Sequence, residues 1–415
     1  MSVAAVSTKR REIEAITVIG FGHGVSHFFH LMIPPLFPWL MRDFGLSFTQ
    51  AGLLTTVFFT VSGIGQATSG FVVDRLGARR VLITGMMLFC AAALILAAAP
   101  HYAVLILAAA VAGAGNSVFH PADFTLLNRN VSGPRLGHAF SVHGLSGNIG
   151  WAVAPVFMTT ITVASSWRVA ALAAAGVAAL AAVLYLLRRD AVSEPLPHAS
   201  ATDTAEPETS QFAFLGVGAV WLCFLFFMLV TASFSGLQNF APTVLHEIYG
   251  ISLAAGASAL TAFLFGGAAG MVVGGFMAGR FAAHERVVAV VLALGAAFAL
   301  AIAAGDTPAW SVAALMVGMG FCIGMAGPSR DMLVRRAATA RFGQRAFGRV
   351  YGFVYSGIDT GLAIAPVLVF GPLMDAGRFS PVLVVTAVLL GLAVLTALGV
   401  GMKQPVVGGQ QQETS

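Results

Sequence analysis

The chain consists of long apolar runs separated by short polar breaks. Most runs reach about 20 residues, the length that an α-helix needs to cross the hydrocarbon core of a bilayer. The pattern predicts twelve membrane-spanning helices, near residues 15–41, 48–73, 81–100, 103–127, 138–163, 167–187, 212–244, 253–278, 286–304, 308–332, 346–371 and 379–402.

Composition supports a membrane protein and excludes other classes. Of the 415 residues, 58% are hydrophobic and only 9% are charged, whereas a soluble domain carries about 25% charged residues. Twelve spans leave room for loops, a linker and tails, but not for a soluble catalytic domain. The sequence contains neither a phosphate-binding loop nor a hydrolase motif, so we expect no enzyme activity and no cofactor.

The basic residues predict the orientation of the chain in the membrane. If the N-terminus is cytoplasmic, all but three of the 22 Lys and Arg residues lie on the cytoplasmic side; the exceptions are Arg42, Arg168 and Arg378. This distribution follows the positive-inside rule. It predicts a multi-pass protein of the bacterial inner membrane with both termini in the cytoplasm, and no signal peptide. The net charge of +5 therefore indicates contact with a lipid bilayer and not with nucleic acid.

The two halves of the chain resemble each other. Residues 137–156, GHAFSVHGLSGNIGWAVAPV, align with residues 348–367, GRVYGFVYSGIDTGLAIAPV. Between the halves, residues 188–211 are rich in Pro, Ser, Thr and acidic residues, which is typical of a flexible linker. We therefore predict an all-α membrane protein with an N-terminal six-helix half (1–187), a cytoplasmic linker (188–211) and a C-terminal six-helix half (212–415). Two parallel halves of this kind are typical of one transporter architecture.

Residues 70–80, GFVVDRLGARR, resemble the signature loop between helices 2 and 3 of the major facilitator superfamily. Within that superfamily, Ser26-His27 and the segment SVFHP at 117–121 are similar to the fosmidomycin-resistance branch of efflux proteins. The chain departs from that branch at His30 and Leu31, where an Asn-Asp pair is usual, and at Ala122, where a Glu is common. The resemblance implies the major facilitator fold and the proton-coupled export of a small organic solute or drug.

The signature loop is a candidate gate, because its charged residues can join neighbouring helix ends and must separate when that face opens. The alternative is that its arginines only determine topology. The predicted gating residues of the loop are Gly70, Asp74, Arg75, Gly77, Arg79 and Arg80. Arg330 and Asp331, near the inner end of the tenth span, form either an inner lock or an ordinary interfacial ion pair.

Ionisable side chains at membrane depth are costly and point to function. Asp359 lies at the centre of the eleventh span, where loss of water favours the neutral, protonated form of a carboxyl group. The alternative is a structural acid bonded to polar groups of neighbouring helices. His23, His27 and His30 share one helix face, as do His120 and Asp123. We predict that proton coupling involves Asp359, His27, His30, His120 and Asp123.

Polar residues elsewhere in the spans are candidate solute contacts. His143 and Asn148 lie in the fifth span, and Gln238 and Asn239 lie in the seventh span just before Pro242. The two amides near Pro242 serve equally well as an outer gate. Histidine and aspartate also suit a metal ion, but a dedicated metal carrier would be expected to show more carboxylates or sulfur, so we predict no metal site.

Together these features predict a secondary transporter, expected to be monomeric, that moves a small-molecule substrate by alternating access and uses the proton gradient. Export is favoured by the resemblance. An uptake symporter or uniporter for a small organic acid is the first alternative, and a membrane sensor or scaffold without transport is the second.

Overall fold

The computed structural model describes residues 3–192, 213–342 and 347–402, and the regular structure of these residues is helical throughout. The α-helices are α1 (Val3–His30), α2 (Phe37–Phe44), α3 (Phe48–Leu76), α4 (Ala78–Ala98), α5 (Tyr102–Asn116), α6 (Phe119–Asn130), α7 (Gly133–Ala164), α8 (Trp167–Leu187), α9 (Gly218–Tyr249), α10 (Leu253–Arg280), α11 (His284–Ala304), α12 (Val312–Phe342), α13 (Phe347–Ala365), α14 (Gly371–Asp375) and α15 (Ser380–Met402). Within the described chain, twelve segments are long and apolar enough to cross a membrane, which confirms the predicted number.

Three of the spans are interrupted where proline removes a backbone donor. A 3₁₀ turn at Pro34–Leu36 separates α1 from α2. Pro121, in the first turn of α6, has no N–H and crowds the carbonyl of Ser117, so α5 ends at Asn116. A π-helical turn, Pro366–Phe370, separates α13 from α14. These breaks allow side chains near them to leave the regular spacing of a continuous helix.

The spans pack mainly within two sets. The first set comprises α1 to α8, in which α1 packs on α7 and α4 packs on α8 and α5. The second set comprises α9 to α15, in which α10 packs on α12 and α9 packs on α13 and α15. The sets meet where α7 contacts α10 and where α3 contacts α13 and α14. The predicted limits of the halves stay a prediction, and residues 193–212 of the linker region lie outside the described residues.

Glycines allow α1 and α7 to approach closely inside the first set. A Cβ atom at Gly150 of α7 would collide with the backbone carbonyl of Gly24 on α1, and a Cβ atom at Gly24 would come within 3.1 Å of the carbonyl oxygen of Ser146. Small residues at helix crossings are the usual means of close packing in lipid. The short separation brings polar groups of α1 and α7 into contact.

The two sets are joined at the end of the bundle where α3 begins and α9 ends, here called the Phe48 end. Asp375, the last residue of α14, accepts hydrogen bonds from the backbone N–H groups of Phe48 (2.5 Å) and Thr49 (3.1 Å) and from the Thr49 hydroxyl (2.5 Å). A carboxylate of the second set thus satisfies free donors at the N-terminus of a helix of the first set, where the helix dipole favours negative charge.

Further contacts join the sets along α3 and near the Phe48 end. The Thr55 hydroxyl donates to Oδ1 of Asn239 on α9 (2.5 Å), and the Thr56 hydroxyl donates to the carbonyl of Ala363 on α13 (2.5 Å). The rings of Phe48 and Phe240 lie 6.2 Å apart at the same end. In this conformation the Phe48 end is closed by contacts between the two sets.

Substitution of Gly150 by Ala is expected to destabilise the protein, because the added methyl group forces α7 away from the Gly24 carbonyl. Overpacking of this kind costs about 1–3 kcal/mol. The thermal unfolding midpoint of the purified protein in detergent should fall by several degrees. Gly144→Ala is the matched control on α7, since a Cβ atom there meets nothing within 4 Å; equal midpoints for the two variants would contradict the packing argument.

Substitution of Asp375 by Ala is expected to shift the protein toward a state that is open at the Phe48 end. The lost hydrogen bonds are solvent-exposed, so the shift is about 1 kcal/mol, or about fivefold in the ratio of conformations. Pulsed electron resonance between spin labels at Arg42 and Trp310, in a background without native cysteines, should show a larger population at long distance. Asp306→Ala, which removes an exposed carboxylate, is the control; identical distance distributions for both variants would refute the role of Asp375.

Candidate functional site

A cluster of buried and half-buried polar side chains occupies the interior of the first set. It is here called the histidine cluster and comprises His23, His27, His30, His120, Asp123 and His143. The three residues of α1 are spaced i, i+4, i+7 and share one face. Ring centroids are 4.4 Å apart between His23 and His27 and 4.7 Å apart between His27 and His30. The helix break before α6 and the close approach of α7 bring the other members against this face.

Asp123 lies at the base of the cluster and is fully buried. Its Oδ2 atom accepts a hydrogen bond from Nε2 of His143 (3.0 Å) and lies 3.2 Å from Nδ1 of His23. Its Oδ1 atom has no hydrogen-bond partner among the described residues. Within that same part of the chain, its ion-pair partners are these two histidines and no Lys or Arg. A carboxylate in this setting attracts positive charge.

Both ring nitrogens of His30 are engaged. The indole N–H of Trp151 donates to Nδ1 (3.1 Å), and Nε2 lies 2.9 Å from Oδ1 of Asn116. Because an indole only donates, Nδ1 is an acceptor and the proton of the ring resides on Nε2. The Asn116 amide donates in turn to the Ser62 hydroxyl (2.8 Å). His30 is therefore held as a neutral imidazole by residues of two other helices, α5 and α7.

His27 differs from its neighbours because neither of its buried ring nitrogens has a hydrogen-bond partner among the described residues. Its ring lies 4.4 Å from the Trp151 ring. Gly147 leaves room for it, since a Cβ atom at that position would lie 2.8 Å from Nδ1 of His27 and 3.0 Å from Nε2 of His23. Buried polar atoms are nearly always paired in proteins, so these nitrogens mark a place for a ligand.

His120 is fixed through one nitrogen only. Nδ1 lies 2.9 Å from Oε1 of Gln66 on α3, so this nitrogen carries the proton and Nε2 remains as an acceptor. Two triplets in the cluster place metal-type ligand atoms within 4.8 Å of one another: His23 with His27 and His120, and His23 with Asp123 and His143. The cluster thus offers several adjacent nitrogen donors around one carboxylate.

Asp359 lies apart from the cluster, at the contact between α13 and α3. A Cβ atom on Gly63 of α3 would be 3.4 Å from the Asp359 Cβ. No described residue forms a hydrogen bond or an ion pair with the Asp359 carboxylate. Gly63 and Gln66 are three residues apart on α3, so one helix borders both Asp359 and the cluster.

The other predicted solute residues lie between the two sets or close to their contact. Nδ2 of Asn148 on α7 donates to the Gly144 carbonyl (3.0 Å) and lies 3.6 Å from Sδ of Met271 on α10. Asn239 is buried and bonded to Thr55, while Nε2 of the buried Gln238 has no partner among the described residues. Only His143 of the four belongs to the histidine cluster.

The predicted gate lies at the opposite end of the bundle, where α3 ends at Leu76. Gly77 joins α3 to α4 with φ +86°, a backbone conformation that favours glycine. Nε of Arg79 donates to the Tyr185 carbonyl on α8 (3.2 Å), a contact within the first set. A Cβ atom at Gly70 would meet nothing within 4 Å, and Arg75 and Arg80 are exposed.

The side chain of Asp74 lies outside the described residues. Arg330 and Asp331, also at this end of the bundle, bond to each other (3.0 Å), and the Tyr355 hydroxyl donates to Asp331 (3.2 Å). The Arg330 guanidinium also lies 4.4 Å from the centre of the Phe227 ring. These contacts fall within the second set.

Sequence reasoning missed four residues that shape these contacts: Asn116, Gln66, Trp151 and Asp375. Asn116 and Gln66 are uncharged amides inside apolar spans, and that rarity is a signal that could have identified them. Asp375 carries no such signal, because a helix-terminal acid is common, and Trp151 carries none because a large aromatic side chain in the middle of an apolar span is typical of ordinary packing.

Comparison with known proteins agrees with this architecture. The sequence model of the Major Facilitator Superfamily matches residues 19–366. The fosmidomycin resistance protein of Escherichia coli (strain K12) is 28% identical over 279 residues, covering 66% of this chain and 67% of the relative. The uncharacterized MFS-type transporter YfnC of Bacillus subtilis (strain 168) is 25% identical over 390 residues, or 92% of each chain.

Among solved structures, the nucleoside transporter NupG has a TM-score of 0.75 at 14% identity and is matched over 94% of this chain and 99% of its own. This likeness concerns the fold alone. Because the superfamily model spans most of the sequence, the chain belongs to the Major Facilitator Superfamily and is a secondary transporter.

Proposed function

We propose that this secondary transporter exports a small organic solute in exchange for protons by alternating access. The observation that carries the proposal is the histidine cluster, a set of buried and half-buried ionisable side chains at membrane depth around Asp123. Intramembrane groups of this kind mark solute and ion paths, because burial without a function is costly. The name of the E. coli relative refers to drug resistance, which favours export as the direction.

Alternating access is supported by the contacts between the two sets. The hydrogen bonds of Asp375, Thr55 and Thr56 close the Phe48 end. They must break when that end opens, so the protein has two conformations whose ratio a ligand can change. With the orientation predicted from the basic residues, the Phe48 end faces the outside of a bacterial inner membrane and both termini face the cytoplasm.

We assign proton coupling to Asp359. Its carboxylate lies between the sets, beside Gly63, without a partner among the described residues. A movement of α3 relative to α13 therefore changes the surroundings of this acid directly. The further prediction that His27, His30, His120 and Asp123 carry the proton stays a prediction, as do the predicted gate and the monomeric state.

Asp359→Asn is expected to abolish proton-driven transport while solute exchange remains, because an amide keeps the shape of the side chain but cannot release a proton. The protein is reconstituted in liposomes that contain a pH-sensitive dye, and fosmidomycin is used as the first probe. The wild type should move protons opposite to the solute under gradients of either polarity. The variant should lose at least tenfold of this coupled flux but retain exchange of labelled against unlabelled solute.

Asp306→Asn, which alters an exposed acid at the Phe48 end, should transport like the wild type. Undiminished proton movement in Asp359→Asn would remove Asp359 from the mechanism. Movement of protons in the same direction as the solute would instead indicate an uptake symporter.

A further inference from the structure

We propose that the histidine cluster binds a divalent transition-metal ion through His23, His27 and His120. The inference rests on the proposed transport function in one respect, because an ion held there would be cargo or part of the cargo. Binding itself is a property of the resting protein and is measurable without transport.

The donor set suits such an ion. Each of the three histidines offers one ring nitrogen, and the three nitrogens lie within 4.8 Å of one another. Imidazole is a preferred ligand of Zn²⁺, Co²⁺, Ni²⁺ and Cu²⁺. Tetrahedral coordination at about 2.0–2.1 Å needs the nitrogens about 3.4 Å apart, so small ring movements close the site. Three protein ligands leave a fourth position for water or for a ligand atom of a solute.

The outer hydrogen bond of His120 matches that of a metal-binding histidine. A histidine that binds a metal through one nitrogen usually directs the other to a carboxylate or another oxygen acceptor, which fixes the ring. Here Nδ1 of His120 lies 2.9 Å from the Gln66 amide oxygen, so Nε2 is the nitrogen left for the ion. Nδ1 of His23 lies 3.2 Å from Asp123, within ion-pair distance but without a hydrogen bond among the described residues.

His27 supplies an independent observation. Both of its ring nitrogens are buried without a hydrogen-bond partner among the described residues, and the glycine at 147 keeps the space beside its Nδ1 free of a side chain. A structural histidine such as His30 has both nitrogens satisfied. One of the two nitrogens of a neutral imidazole carries a free lone pair, so His27 has an unused electron-pair donor for a metal ion.

The charge of the cluster favours a cation over an anion. Asp123 has histidines and no Lys or Arg as its ion-pair partners in the described chain. A buried carboxylate repels an anionic ligand and attracts a metal ion, which also relieves the cost of burying the negative charge. The second triplet, His23 with Asp123 and His143, is already held together by its own contacts and supports the ligands.

Titration of the full-length, untagged protein with Co²⁺ tests the proposal, because bound Co²⁺ in a tetrahedral site has a strong visible absorption that the hydrated ion lacks. We expect one ion per chain, competition by Zn²⁺, and an affinity at least tenfold weaker in both His27→Ala and His120→Ala. Asp123→Asn should weaken binding about 10–100-fold, the range for loss of an outer partner of a metal ligand, because it removes the carboxylate beside His23.

The control is His138→Ala, since His138 is exposed and lies outside the cluster; it should bind like the wild type. Thermal unfolding in the presence of chelator shows that each variant is folded. Absence of the Co²⁺ absorption in the wild type, or equal affinity in wild type and His27→Ala, would overturn the proposal.

The ion could be carried either as the free ion or as a chelate with an organic acid. Flux into liposomes distinguishes the two forms, with Zn²⁺ supplied either alone or with citrate. Uptake of Zn²⁺ without citrate indicates the free ion as cargo, and joint movement of both indicates a metal chelate. Coupled fosmidomycin flux that persists in chelator, together with no Co²⁺ binding, would refute the metal site while leaving the proposed function intact. Co²⁺ binding without any flux would support the metal site and refute the proposed transport function.

Discussion

The burial of the Asp123 carboxylate constrains the whole of the first set. A carboxyl group that leaves water loses its hydration, and close polar partners offset part of that loss. His143 and His23 provide these partners from α7 and α1. Both imidazoles lie beside the same carboxylate oxygen, so α7 and α1 run close to α6, and glycines allow the backbones of α1 and α7 to meet.

The second set has a close helix contact like that of the first set, but not its cluster of histidines. Gly361 is the counterpart of Gly150 in the aligned segments, and a Cβ atom at either position would collide with a backbone carbonyl of the neighbouring helix. His143, however, corresponds to Val354, and Asn148 corresponds to Asp359. The aligned segments therefore share a close helix contact, while their polar side chains differ, with a histidine and an amide in one and a valine and an acid in the other.

The sequence was sufficient for the helical fold class and the number of spans, because the hydropathy pattern depends on the membrane itself. The sequence also predicted that His23, His27 and His30 share one face of α1, because this follows from helical spacing alone. It was insufficient for contacts such as His120 with Gln66 or Asp375 with Thr49. Those pairs depend on how each helix is rotated and tilted against another, which no local spacing records. Asn239 shows the same limit. From the sequence it could be a solute contact or part of an outer gate, and only its hydrogen bond with Thr55 reveals that it joins the two sets.

The uninterrupted length of α3 couples contacts at one membrane surface to contacts in the interior. Helix α3 is one uninterrupted helix of 29 residues, about 44 Å long at 1.5 Å per residue. Along its length it contacts Asp375 through Thr49, Asn239 through Thr55, Asp359 through Gly63 and His120 through Gln66. If α3 moves as one rigid body, its contacts at both surfaces and in the interior are displaced together. When α3 is released at one membrane surface, Gln66 and its contact with the His120 imidazole move with the rest of the helix. No relay of side chains between the surface and His120 is needed.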